Sequence, residues 1–178
     1  ELNIGGQYQL GLVGDFNVSN ATAAIIGAGL TGIDATKAAA GIANVAVPGR
    51  MESVTVPNHG HVFVDDAHSY ASLHTLLGYM HSEYQPARLR VVLGAPGGKG
   101  VDLRADFARA LNEHATDVYL TTDDPEFEDP AAIVDQVDEQ IDHDRVVVHK
   151  VLDRRAAIHA AIADSQPNDI VLSTGKGE

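Results

Sequence analysis

The chain has 178 residues, 44% of them hydrophobic, which is enough to bury the core of one domain, with a piece of another, and too apolar for a disordered segment. It contains no cysteine, which excludes disulfides, thiolate metal sites and cysteine nucleophiles together. A formal net charge of −13 with no run of Lys or Arg argues against nucleic acid as a partner, and no apolar run approaches the roughly 20 residues needed to cross a bilayer, so no membrane insertion is expected.

In chain order, the first feature is AAIIGAGLTGI, residues 23–33, with Gly27, Gly29 and Gly32 in the spacing of a dinucleotide-binding turn. That motif needs a strand before its first glycine. Asn20 reads as a helix N-cap, and Ala21 to Leu30 is rich in alanine, so a helix is the better reading. The glycines are then expected to allow close helix packing. A second helix is expected near 34–43. Acidic residues are sparse through residue 50 and dense afterwards, which suggests a boundary near Pro48-Gly49.

Beyond residue 60 short apolar runs alternate with helical stretches. HVFVD (61–65) leads to a helix near 70–83, and LRVVLG (89–94) to one near 103–114. DVYLTT (117–122) leads to one near 130–141, and RVVVHKV (145–151) to one near 154–164; DIVLST (169–174) follows. Asp129 before Pro130, and Asp153 before RRAAIHAAIA, are helix-start signals. The pattern predicts an α/β fold, a Rossmann-like, mostly parallel sheet of about six strands with helices on both faces, preceded by a short helical segment. Function in such sheets sits at the carboxyl ends of the strands. Here those ends hold 65–69, 94–99, 121–126 and 174–178.

Each strand end has a polar or glycine-rich loop. Gly94 to Gly100 approaches a phosphate loop, but Leu93 replaces the first glycine and Gly100 stands where a hydroxyl should bind magnesium. Asp65, at a strand terminus, is placed to accept hydrogen bonds from a ribose or an amine. Residues 123–129 pack five carboxylates into seven positions. Such a loop is either simply solvated or a pocket for a cation, a metal or an ammonium group. His59 and His61 have metal-compatible spacing without further ligands nearby, and no metal site is expected from them.

Several strings occur in an order that resembles the Mur ligases: Gly14 to Ala21, Val47-Pro48-Gly49-Arg50-Met51-Glu52, Val64 to Ser69, Asp123-Asp124-Pro125 with Glu128-Asp129-Pro130, Asp153 to Ile158, and Gly175-Lys176-Gly177. The resemblance runs from about residue 11 to the end. It is strongest to members that add the third residue of the peptidoglycan stem peptide. It implies that 1–46 is the tail of a central ATPase domain and 47–178 a C-terminal Rossmann-like domain. It also implies a cytoplasmic ligase that uses ATP and Mg2+, with the magnesium ligands in a central domain lying outside this chain. On that resemblance UDP-MurNAc-L-Ala-D-Glu would be phosphorylated on its carboxylate, and the amine of an amino acid would attack the acyl phosphate.

By the same resemblance, Asn17 and Asn20 lie near the adenine, Arg50 reaches the nucleotide, and Asp65 meets the ribose with His68 beside it. Lys99, Asp124, Glu126 and Glu178 fall at substrate positions. Members that add meso-diaminopimelate carry Asp-Asn-Pro-Arg, whose arginine holds the distal carboxylate. Here the string is Asp123-Asp124-Pro125-Glu126, which favours an ammonium and hence L-lysine or another dibasic amino acid. No catalytic residue is expected in this chain, which begins at Glu1 and reads as a fragment inactive alone. A stand-alone α/β nucleotide- or metal-binding module is the alternative.

Overall fold

A computed structural model describes residues 7–98 and 100–177. The chain divides between Val47 and Pro48 into two compact units.

The first unit is a pair of packed helices, α1 (Asp15–Leu30) and α2 (Ala35–Ile42). The AAII run is helical, so the strand that a dinucleotide motif requires is absent from that position. Helix α1 begins before Asn20, which corrects its reading as the N-cap. Gly14 holds that position with φ 100° and no side-chain cap. Asn20 instead donates from Nδ2 to Asn17 Oδ1 at 3.2 Å, one turn earlier. For Gly27 and Gly32 the expected packing role is not found, since a Cβ at either would meet no atom within 4 Å. Gly32 serves the turn between the helices, at φ 90°. Asp34 caps α2 by accepting from the amides of Thr36 and Lys37.

The second unit holds six strands, β1 (Glu52–Val54), β2 (His61–Val64), β3 (Leu89–Ala95), β4 (Asp117–Thr122), β5 (Val147–Lys150) and β6 (Ile170–Ser173). Helices α3 (Tyr70–Tyr84), α4 (Val101–His114), α5 (Pro130–Asp138) and α6 (Arg154–Ala163) connect the last five. The sheet order is β1-β2-β6-β3-β4-β5, and every pairing is parallel except β1 with β2. Three successive crossovers step one way along the sheet, and the fourth steps back to insert β6 between β2 and β3. Right-handed connections therefore put α3, α4 and α5 on one face and α6 on the other.

The core follows that division. Val62, Val92, Tyr119 and Val171 meet Ala157 and Ala161 of α6 on one face. On the other, Leu93 and Leu120 converge with Phe107, Val134 and Val137. β3 is buried along its whole length, as a central parallel strand should be, whereas β1 is exposed throughout. No helix among the described residues is long and apolar enough to cross a membrane.

Candidate functional site

The register brings the tips of β2, β3, β4 and β6 to one edge: Val64 lies opposite Ser173, Val92 opposite Ser173, and Gly94 opposite Thr121. The loops that leave these tips enclose a cleft of about 350 Å³. Pro96, Leu103 and Phe107 give it an apolar wall, while Asp66, His68, Asp123, Asp124 and Lys176 supply polar groups.

Asp65 directly follows β2 and is buried. Its two carboxylate oxygens accept from the backbone amides of Met51 and Ala67, each at 2.9 Å. Burial pushes this carboxyl's pKa up, against the pull of the two amides and the Arg50 charge. The bond to Met51 ties the 48–51 turn to the strand tip. Gly49 in that turn has φ 65°, and a Cβ there would lie 1.7 Å from the carbonyl oxygen of Gly177, so only glycine allows the approach. Arg50 projects from the same turn with its guanidinium half exposed, 2.7 Å from Asp66 Oδ2. His68 is exposed, with Nδ1 2.5 Å from the carbonyl oxygen of Asp66. A carbonyl can only accept, so Nδ1 carries a proton.

The acidic loop after β4 is held mainly by cations of the chain itself. Lys176 Nζ lies 2.9 Å from Asp124 Oδ1 and 3.3 Å from Asp123 Oδ1. The hydrogen bond to Asp124 is the main cause that holds the Lys176 pKa above the usual lysine range. Arg154, at the start of α6, donates to the carbonyl of Thr174, while its Nε and Nη1 are buried without a partner among the described residues. Burial lowers its pKa, and the charges of Asp123 and Asp124 pull it back. Glu128 accepts from the amide of Gly98 at 2.6 Å and pairs with buried Arg104 at 2.9 Å. Asp129 caps α5 through the amide of Ala131.

Glu126 adopts φ 51° and folds back over the glycine-rich loop after β3, where a Cβ on Gly98 would lie 2.1 Å from Glu126 Oε2. The two loops are also joined through the backbone. The Gly97 amide donates to the Asp124 carbonyl at 2.8 Å, and a Cβ on Gly97 would sit 2.0 Å from the Pro125 carbonyl oxygen. Gly97→Ala should therefore separate the loops and cost about 1–3 kcal/mol, as overpacking does. Urea denaturation reads the cost, and faster hydrogen exchange at the Gly97 and Gly98 amides reads the separation.

Among the expected site residues, His68 and Asp124 line the cleft, and Arg50 reaches it through Asp66. Asp65 anchors the neighbouring turn, and Glu126 lies over Gly98 outside the lining. Lys99 and Glu178 fall outside the described residues. In the first unit, Asn17 is buried and donates to the Val13 carbonyl at 2.7 Å, and Asn20 is exposed. Sequence reasoning did not assign Asp66, Arg104, Arg154 or Lys176 to a site, and took Glu128 only as one of the five carboxylates of the loop. Lys176 had one signal, the Gly175-Lys176-Gly177 string at a strand tip.

Residues 49–177 match the family model described as Mur ligase, glutamate ligase domain. A UDP-N-acetylmuramyl-tripeptide synthetase of Lacticaseibacillus paracasei is 60% identical over 176 residues, covering 99% of this chain and 34% of the relative. A UDP-N-acetylmuramoyl-L-alanyl-D-glutamate–L-lysine ligase of Enterococcus faecalis is 43% identical, covering 99% and 35%. The chain thus spans about a third of the length of the curated relatives it matches. A solved UDP-N-acetylmuramoyl-L-alanyl-D-glutamate–2,6-diaminopimelate ligase superposes with TM-score 0.69 at 31% identity, over 96% of this chain and 35% of that one. A Mycobacterium tuberculosis folylpolyglutamate synthase complexed with ADP and AMPPCP superposes at 0.73 with 26% identity, over 97% and 41%.

Proposed function

Since the chain belongs to the Mur ligase family, we propose that it is the amino-acid-binding portion of an ATP-dependent ligase that joins L-lysine to UDP-MurNAc-L-Ala-D-Glu. In this reading residues 1–46 are the tail of the central ATPase domain, the reaction is cytoplasmic, and the chain alone is inactive. ATP converts the terminal carboxylate to an acyl phosphate with release of ADP. The lysine α-amine, once deprotonated, attacks that carbonyl, and phosphate leaves as the amide forms.

Arg50 suits the nucleotide's phosphate oxygens. Its charge is permanent, its donors are forked, and Asp66 orients it without burying it. Asp65, with His68 beside it, is assigned to the ribose, and Asn17 and Asn20 are assigned to the adenine. Magnesium would neutralise phosphate charge; its ligands are assigned to the part of the protein outside this chain. On the amino-acid side, the observation that carries the reading is the acidic loop, with Glu126 where diaminopimelate-adding members have arginine. The internal pairing of the Lys176 ammonium with Asp123 and Asp124 supports the choice of an ammonium partner. Lys99, Asp124, Glu126 and Glu178 are assigned to the substrate's polar ends.

The test uses the whole protein with ATP, magnesium and UDP-MurNAc-L-Ala-D-Glu, following phosphate release and product mass. L-Lysine should be used with kcat/KM at least about tenfold above meso-diaminopimelate, a difference of about 1.4 kcal/mol. Equal or better use of diaminopimelate removes the lysine assignment, and no product from either removes the ligase.

A further inference from the structure

The outer surface of α3 and α4 carries a cluster unrelated to the cleft. Leu103 and Phe107, near the start of α4, line the cleft, but Glu113 and His114 lie in its last turn. Eleven residues of helix separate Leu103 from His114, about 16 Å at 1.5 Å per residue. His74 of α3 faces that last turn.

Three ligand atoms converge there. His74 Nδ1 is 2.7 Å from Glu113 Oε2 and 3.0 Å from His114 Nε2, and the latter is 3.9 Å from the same Glu113 oxygen. A tetrahedral zinc ion with bonds near 2.0–2.1 Å holds its ligand atoms about 3.3–3.4 Å apart. The observed triangle brackets that edge. A proton on His74 Nδ1 can be given to only one of its two neighbours, whereas a divalent cation within the triangle engages all three lone pairs.

The surroundings support the same arrangement. Tyr70 donates its hydroxyl to both Glu113 oxygens at 3.2 and 3.1 Å and so fixes the carboxylate. The Tyr70 ring is held under the Arg109 guanidinium, 3.6 Å from the ring centroid. His81 Nε2 donates to the His114 carbonyl at 2.6 Å, which fixes the last turn of α4 against α3. Outer hydrogen bonds of this kind orient first-row metal ligands. The side chains of His74 and Glu113 are partly exposed, which leaves solvent to supply a fourth ligand.

We propose that His74, Glu113 and His114 form a zinc-type divalent metal site that staples α3 to the end of α4, with a structural rather than a catalytic role. The ligand set of two imidazoles and one carboxylate suits zinc or cobalt and disfavours magnesium, which takes oxygen ligands.

The test titrates Zn2+, and Co2+ as a coloured substitute, into the tag-free full chain after chelator treatment. One equivalent should bind, with the visible absorption of four-coordinate Co2+ and a rise in Tm on adding Zn2+. His74→Gln and His114→Gln should each weaken binding at least about tenfold, and Tyr70→Phe by about tenfold. His149→Gln, far from the cluster in sequence and on β5, should change nothing. His74 is half exposed, so its glutamine variant should keep the fold, which circular dichroism checks. Glu113→Gln provides a second variant with the same expectation as His74→Gln. Failure to bind one equivalent, or binding retained in both histidine variants, overturns the site. Neither result bears on ligase activity, so the two readings fail separately.

Discussion

Replacing Arg90 with methionine is expected to lower the free energy of unfolding by about 3 kcal/mol, the lower end of what breaking a buried ion pair costs. Arg90 lies in the central strand β3 with its side chain 9% exposed. Its guanidinium reaches Asp169 Oδ2 at 3.2 Å and Asp117 Oδ1 at 3.2 Å, with the Tyr119 hydroxyl at 3.4 Å. These groups come from β3, β4 and the residue just before β6, so one cation ties three neighbouring strands at the end opposite the cleft. Asp117 would keep its two bonds to Arg88, at 2.7 and 2.9 Å. Asp169 would keep the Gln166 amide at 2.9 Å but lose its cation while still buried. That asymmetry argues for the lower figure. Urea denaturation measures the loss, and Arg90→Met with Asp169→Asn should recover at least about 1 kcal/mol by removing the stranded charge. A loss below about 1 kcal/mol in the single variant would mean that water compensates the aspartate.

The same network illustrates what was legible in the sequence. The five parallel strands were visible because runs such as LRVVLG are apolar on both faces, which only a strand buried between helix layers needs. That two arginines flank Leu89 in a buried strand was equally visible, but their partners lie 27 to 79 residues away and are chosen by sheet order. β1 carried no signal, because an exposed antiparallel edge of Glu52, Ser53 and Val54 has no apolar face to display. The start of α1 was misread because Asn20 is a good cap residue by type, whereas the true start at Gly14 has no capping side chain.

In the site, the sequence pointed to the strand tips, and of the residues it named there His68 and Asp124 line the cleft while Asp65 holds the turn beside it. Which acid meets which base was not. Lys176 closes on Asp123 and Asp124 only because β6 inserts beside β3, an event of topology that local sequence does not encode. Arg104 sits mid-helix in a charged stretch with nothing in its sequence to single it out, yet it is 1% exposed and anchors Glu128.

These pairings sharpen the role of Glu126, and they make its exchange the most informative change on the amino-acid side. Of the five carboxylates in the loop, Asp123 and Asp124 face Lys176, Glu128 faces Arg104, and Asp129 caps α5. Glu126 alone forms neither an ion pair nor a cap among the described residues, and the bare Gly98 leaves room for its carboxylate. On the proposed reading it receives the distal ammonium of L-lysine, a charge-assisted hydrogen bond of about 1.5–3 kcal/mol. At about 1.4 kcal/mol per factor of ten, its loss weakens lysine binding by roughly 10- to 150-fold. Glu126→Arg in the whole protein should therefore lower kcat/KM for L-lysine at least about tenfold, mostly through KM, because the contact is made equally before and during the reaction. The ratio of lysine to meso-diaminopimelate use should fall further, since the new guanidinium attracts the second carboxylate that lysine lacks. Glu126→Gln should fall between the two. Gly98→Ala should follow the same direction, as a methyl group there displaces the Glu126 carboxylate. A kcat/KM for L-lysine unchanged in Glu126→Arg would take Glu126 out of the pocket and leave Asp124 to bear the ammonium.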